Sequence, residues 1–176
     1  ALTTEQLNGG ILFFGKANCY QCHDGPSLSS ENFYALGLND LEESDRLGVF
    51  PNFEQTRKGR GGFTKDANDD YKFKTPQIYG LNEMSFFGHG SSFSNIQDLI
   101  EYKNTAKQEN SLVPTTQLAS EFIPLGLSSD EIAQLSEFVL GALSDKELNR
   151  YVPTFIESNY CFPNNDVVSK EEMGCE

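Results

Sequence analysis

Cys19 and Cys22 are separated by two residues and followed at once by His23, in the run Cys19-Tyr20-Gln21-Cys22-His23. This is the spacing of covalent haem c attachment. Each thiol adds to one vinyl group of the porphyrin, and two intervening residues let the sulfurs reach both vinyls. The adjacent imidazole then turns beneath the ring and offers a nitrogen to the iron. Cys19 and Cys22 are therefore the expected attachment points for one haem c, and His23 its proximal ligand. Two other chemistries fit less well. An exchanging dithiol wants a strand before it and a helix after it, whereas Leu12-Phe13-Phe14 precedes the motif inside a helical pattern. A four-ligand zinc site needs a second closely spaced pair, and Cys161 and Cys175 have 13 residues between them near the C-terminus. That second pair reads as a disulfide, worth on the order of 3 kcal/mol for a loop of this size; two free thiols are the alternative. Haem attachment and a structural disulfide both point to a periplasmic or extracellular compartment.

Helices must hold these groups. Thr3-Thr4-Glu5-Gln6 forms a capping box, and Leu7, Ile11 and Phe14 follow on one face. This predicts a helix over 4–16 that leads into the motif. Ser94-Asn95-Ile96-Gln97 predicts a second helix over 94–103, with Ile96, Leu99, Ile100 and Lys103 at helical spacing. Ser128-Ser129-Asp130-Glu131 predicts a third over 129–143, striped by Ile132, Leu135, Val139 and Ala142 with Phe138 beside them. Ser144-Asp145-Lys146-Glu147 could open one more short helix. After His23 the sequence reads as loop. Residues 41–75 are polar with little periodicity, and Gly59-Arg60-Gly61-Gly62 marks backbone that turns sharply or approaches something closely. A loop this long within one domain is usually functional or cofactor-covering. The expected fold is mainly α, a helical domain with long haem-covering loops. It forms one domain over 1–176, whose tail from about 151 is pinned by the second cysteine pair.

The chain has 176 residues, 38% hydrophobic and 12% aromatic, enough for one domain with a real core. Lys and Arg total 13 against 26 Asp and Glu, a formal charge of −13. That charge argues against nucleic acid and anionic membrane surfaces as partners and favours a basic docking surface on a redox partner protein. Apolar runs are too short for a membrane span. The opening Ala1-Leu2-Thr3-Thr4 has no basic stretch followed by an apolar one, as expected of a mature or trimmed form.

The ordered motifs resemble the C-terminal haem domain of the bacterial di-haem cytochrome c peroxidase family. The resemblance runs through Leu12-Phe13-Phe14-Gly15, Cys19 to Pro26, Gly59-Arg60-Gly61 and Phe73-Lys74-Thr75-Pro76. It continues through Phe86-Phe87-Gly88-His89-Gly90, Ile96 to Asn104, Tyr151-Val152-Pro153 and Cys161 to Asp166. It implies a cytochrome c-like domain that receives electrons. Family enzymes carry two haem motifs and this chain has one, and the family's peroxide-reacting haem belongs to the N-terminal domain. Gly90 also stands where the family often has Asp. The matched motifs place Arg60 and Lys74 near the haem, where they would neutralise its propionates; the alternative for each is a solvated loop cation.

The family places a Met or Tyr ligand on the helix after the aromatic-His-Gly turn, and in this register the position falls on Lys103, with Tyr102 just before it. Lys103 is thus the first candidate for the iron's distal ligand. Met84 is the second, by the chemistry of imidazole–thioether pairs; Met173 and His89 follow. An exposed surface lysine is the alternative for Lys103. Two functional readings result. One is a monohaem electron-transfer domain exchanging electrons with a partner protein or enzyme. The other is a peroxidase reducing hydrogen peroxide, which needs an open iron position and a distal acid–base group, with Glu83, His89 and Glu101 as candidates.

Overall fold

The computed structural model describes residues 1–40, 53–144 and 157. The chain divides into two units, 1–144 and 145–176. Apart from Glu157, the second unit lies outside the described residues. The expected tail, Cys161, Cys175, Met173 and the short helix after Ser144 lie there with it.

Two of the three expected capping boxes are present as written. Helix α1 (Thr4–Phe14) opens on Thr3, whose hydroxyl accepts the Gln6 N–H at 3.2 Å while the Gln6 carboxamide oxygen accepts the Thr3 N–H at 3.1 Å. The same reciprocal pair, Ser128 with Glu131, opens the helix Ser129–Glu137. The helix Ile96–Thr105 is the exception. Asn95, not Ser94, caps it, accepting the Asp98 N–H at 2.8 Å. Asn caps as well as Ser, and its one-residue shift starts the helix at 96 and carries it to 105. Helix α1 stops at Phe14, short of the expected 16, because the backbone leaves helical geometry at Gly15.

In chain order the described elements are α1, strand β1 (Phe33–Tyr34), α2 (Phe53–Thr56), α3 (Arg60–Thr64), strand β2 (Phe73–Lys74), α4 (Ile96–Thr105) and α5 (Ser129–Glu137), with short 3-10 turns between them. A π-helical turn over Phe138–Ala142 continues α5, closed by the Leu143 N–H on the Phe138 carbonyl at 3.2 Å. The fold is mainly α. Its small sheet is the antiparallel pair β1–β2, Phe33 opposite Lys74 and Tyr34 opposite Phe73. The described part of 41–75 is therefore not all loop. The glycines explain why. A Cβ on Gly61 would sit 2.2 Å from Asp70 Oδ1, and one on Gly62 would sit 1.7 Å from the Gln55 carbonyl oxygen. These close approaches pack short helices that hydrophobic periodicity does not announce.

The core is built where α1 meets α5. A Cβ on Gly9 would lie 2.0 Å from the Gln134 carbonyl oxygen, so the two backbones touch at that glycine. Phe13, 1% exposed, packs on Phe138 with ring centroids 5.4 Å apart. Lys16 ties the C-terminal end of α1 to the first turn of α5 through Glu131, at 2.7 and 2.9 Å, and this bond first, with the Ser128 N–H, holds the Glu131 carboxyl below its usual range. One expectation is corrected here. Leu7, Ile11 and Phe14 do share a face of α1, but that face is open, at 53%, 71% and 57% exposure. Two adjacent glycines let the opposite face close on α5, and backbone approach outweighs the apolar stripe in choosing the buried side. In α5, by contrast, Ile132, Leu135, Phe138 and Val139 are buried as expected.

Helix α4 joins this core through Asn104. Its side chain accepts the Leu127 N–H at 2.8 Å and donates to the Leu127 carbonyl at 3.1 Å, and its own carbonyl accepts the Leu125 N–H at 3.0 Å. The loop entering α5 is thereby fixed to the helix that carries Lys103.

Candidate functional site

After α1 the chain reverses through Asn18, in the left-handed region at φ 53°, and winds into a 3-10 turn over Cys19–Gln21. The Cys22 and His23 N–H groups both donate to the Cys19 carbonyl, at 3.2 and 2.9 Å. Residues three and four apart on a helical turn share one face, so this turn brings Cys19, Cys22 and His23 to the same side. Cys19 Sγ donates to the Ala17 carbonyl at 3.7 Å. Burial pushes the Cys19 thiol up to about 11, and Lys103 partly opposes the shift. Burial also raises Cys22, opposed by a hydrogen bond from Tyr34 and by Lys103. Both sulfurs are protonated at neutral pH and stand in a poorly solvated setting, as an apolar macrocycle requires.

His23 Nδ1 lies 3.1 Å from the Leu28 carbonyl oxygen. A carbonyl only accepts, so Nδ1 carries the proton and Nε2 keeps its lone pair for a metal. Burial lowers the His23 pKa, with the Leu28 and Pro76 carbonyls pulling the other way. The ring is thus held as the neutral tautomer that an iron ligand needs.

Across from this turn, α4 presents Lys103. Its amine lies 5.6 Å from the Phe122 ring centroid. Burial lowers its pKa to about 8, and Cys22 and Cys19 are the ionisable groups that oppose the shift. No carboxylate pairs with it among the described residues. The neighbouring Tyr102 turns elsewhere. It is buried between Phe93 and Phe122, and its hydroxyl donates to the Leu36 carbonyl. Of these two adjacent residues on α4, Lys103 is therefore the one whose amine is electrostatically coupled to the cysteine pair. Met84 follows a 3-10 turn with 55% of its surface exposed.

The other candidates are placed apart from this amine. His89 stacks on Phe73 at 3.6 Å between ring centroids and pairs with Asp40 at 3.3 Å. Glu83 accepts from Asn82 and Glu101 from Asn104 at the surface. None of the three is among the groups that perturb Lys103. Arg60 donates to Asp69 at 2.9 Å and lies over the Phe33 ring at 4.5 Å, and Lys74 pairs with Glu31 at 3.3 Å. Both cations, one in α3 and one in β2, thus have carboxylate partners. Arg60→Gln is expected to change stability by less than ~1 kcal/mol, as for exposed ion pairs; thermal melting checks this, and a larger loss would mean that the pair or the Phe33 contact matters more than its exposure suggests. Leu28, Pro76 and Tyr34 contact the motif without having been singled out from sequence. Carbonyl groups carry no residue-type signal, and Tyr34 lies in a two-residue strand too short to show periodicity.

The donor set fits haem c: two partly buried sulfurs at the attachment spacing, an imidazole protonated at Nδ1, and a nearby amine of lowered pKa. It does not fit a compact metal site. No cluster of three His, Cys, Asp or Glu side chains positioned to hold a metal ion is found among the described residues.

Comparisons with known proteins agree with this reading. No protein-family model matches the chain. Cytochrome-c peroxidase IdrP1 of Denitromonas iodatirespirans is 30% identical over 156 residues, 79% of this chain and 40% of the relative. Over the matched region the chain is similar to cytochrome-c peroxidases of the di-haem family. IdrP2 of the same organism is 29% identical over 169 residues, 88% of this chain and 43% of the relative. Among solved structures, a MauG-like protein associated with microbial copper homeostasis superimposes with a TM-score of 0.67 at 21% identity, covering 83% of this chain and 48% of its own. The diheme peroxidase BthA of Burkholderia thailandensis gives 0.58 at 15% identity, covering 83% and 44%. These likenesses show the fold. The chain spans about two-fifths of the length of the curated family members it matches. No helix among the described residues is long and apolar enough to cross a membrane.

Proposed function

We propose that this chain is a C-terminal-type haem domain of the di-haem cytochrome c peroxidase family, holding one covalent haem c through Cys19 and Cys22 and exchanging electrons with a partner protein. The observation that carries this reading is the single helical turn that faces Cys19, Cys22 and His23 the same way, with Nδ1 of His23 already committed to Leu28. Haem c supplies a one-electron ferric–ferrous couple. The protein's residues do the rest. Cys19 and Cys22 would anchor the ring, His23 would supply one nitrogen to the iron, and Lys103, ahead of Met84, would supply the second ligand. Arg60 and Lys74 remain candidates for the propionates. If Lys103 held the iron opposite His23, no position would be left for peroxide, and this is the ground for preferring electron transfer to catalysis.

Lys103 is prepared for this role by its surroundings. A lysine binds iron only as the neutral amine. At pH 7, deprotonating an amine of pKa about 8 costs about 1.4 kcal/mol, against about 4.8 kcal/mol at the ordinary value. The sign of the pH dependence follows. Protons compete with iron, so the ligand is held at higher pH and released as pH falls, at a pH below the free amine's value of about 8 because binding itself favours the neutral form. An optical titration of the oxidised protein should show low-spin haem giving way to another form between about pH 8 and about pH 5. The transition should be absent in Lys103→Ala. An identical transition in that variant would remove Lys103 from the iron.

The peroxidase reading rests on a separate observation, the names of the matched family members. Stopped-flow mixing separates the two. Electron transfer predicts rapid oxidation of the reduced protein by a basic cytochrome c, slowing steeply with salt because the chain carries −13. It also predicts no fast reaction of the oxidised haem with hydrogen peroxide. Rapid peroxide turnover by the isolated chain would reverse the assignment. The acidic surface, the periplasmic or extracellular setting and the single-domain organisation are parts of the same proposal.

A further inference from the structure

The loop that fixes the proximal imidazole is itself held from outside. Between His23 and Ser29 the backbone makes two tight returns: the Leu28 N–H donates to the Gly25 carbonyl at 3.2 Å and the Ser29 N–H to the Asp24 carbonyl at 3.1 Å. Gly25 takes φ 63°, which glycine accepts freely, but Leu28 takes φ 45°, a conformation that a side chain disfavours. Leu28 is 7% exposed, so burial of its side chain helps to keep it there. The result of this unfavourable backbone is that the Leu28 carbonyl points at His23 Nδ1, 3.1 Å away. Such a conformation persists only where neighbouring structure over-determines it.

Tyr79 supplies part of that determination. Its hydroxyl donates to the Pro26 carbonyl at 2.9 Å, between the two turn glycine and leucine positions and 53 residues distant in sequence. Tyr79 is in turn fixed to the core. Its neighbour Ile78 is 8% exposed, and the next N–H, from Gly80, donates to the Leu143 carbonyl at 3.0 Å at the end of the π-helical turn. A continuous path thus runs from the end of α5 through Gly80 and Tyr79 to Pro26, Leu28 and the His23 ring.

We infer that Tyr79 is a positioning residue for the proximal ligand: its hydroxyl braces the Pro26–Leu28 turn, and through it sets the strength and direction of the bond from His23 Nδ1 to the Leu28 carbonyl. This inference rests on the haem reading above. A histidine whose second nitrogen donates firmly to a carbonyl is a stronger donor to its metal. A firm brace therefore favours the ferric state, and a loosened one raises the reduction potential. Tyr79 is 43% exposed and Pro26 is exposed, so water can donate to the Pro26 carbonyl once the hydroxyl is removed. The fold should survive the change while the ligand geometry does not.

The test is Tyr79→Phe in the haem-loaded protein. Intact mass first establishes that wild type and variant each carry one covalent haem. Potentiometric titration should then show the ferric–ferrous equilibrium shifted toward ferrous by roughly threefold, about 28 mV at 59 mV per tenfold for one electron. The low-spin paramagnetic resonance g-values should move with it, and the His23 Nδ1 proton should exchange faster in nuclear magnetic resonance spectra. Melting temperature should change little. If potential, g-values and exchange all equal those of wild type, Tyr79 does not position the ligand, and the haem reading stands without it. A wild-type chain without covalent haem overturns both.

Discussion

Replacing Cys19 and Cys22 together by alanine is expected to reduce covalent haem from one per chain to none. The two sulfurs share one face of a single helical turn and stand in a desolvated setting that raises both their pKa values. No other cysteine among the described residues is available to substitute. Acid–acetone extraction of the variant should leave colourless protein, whereas wild-type colour stays with the polypeptide. The variant should also melt well below the haem-loaded protein, because a ligand bound only by the folded state stabilises that state. Colour that resists extraction from the double variant would mean attachment elsewhere.

The second large effect lies where α1 meets α5. Gly9→Ala places a methyl group 2.0 Å from the Gln134 carbonyl oxygen and 2.7 Å from Phe138 Cβ. Neither is the free end of a flexible side chain, so α1 and α5 must separate. Overpacking of this kind costs about 3 kcal/mol or more, a fall in melting temperature of roughly 6–12 °C for a domain of this size. Gly10→Ala is the internal comparison. Its methyl would meet the Phe138 ring at 3.2 Å, a contact that a small ring movement relieves, and alanine gains about 1 kcal/mol of helix propensity. Gly10→Ala should stay within about 1 kcal/mol of wild type. Equal melting of the two variants would contradict the backbone contact at Gly9.

The same glycines show how far the sequence can be read. Helix positions were legible because caps are local chemistry: Thr3 with Gln6 and Ser128 with Glu131 form as their residue types require. The buried face of α1 was not. Hydrophobic periodicity selects Leu7, Ile11 and Phe14, but the face is decided by what Gly9 and Gly10 allow a second helix to do, and that depends on a partner 125 residues away along the chain. The motif residues of the candidate site are legible because the proposed covalent attachment requires a fixed spacing. Lys103 is a candidate by register, and its amine is electrostatically coupled to Cys19 and Cys22. What escaped sequence reading is the set of carbonyl acceptors around His23, since Leu28 and Pro76 act through backbone atoms that every residue possesses. The short helices at 53–56 and 60–64 escaped for a related reason. They are held by contacts of glycine backbone with Gln55 and Asp70, not by an apolar stripe.

The central claim is a haem iron held between His23 and Lys103, and low-temperature paramagnetic resonance of the oxidised protein tests it most directly. Wild type and Met84→Ala should give the same low-spin signal, and Lys103→Ala should convert it to a high-spin one. Loss of the low-spin signal in Met84→Ala with Lys103→Ala unchanged, or a wild-type protein already high-spin, would contradict the account.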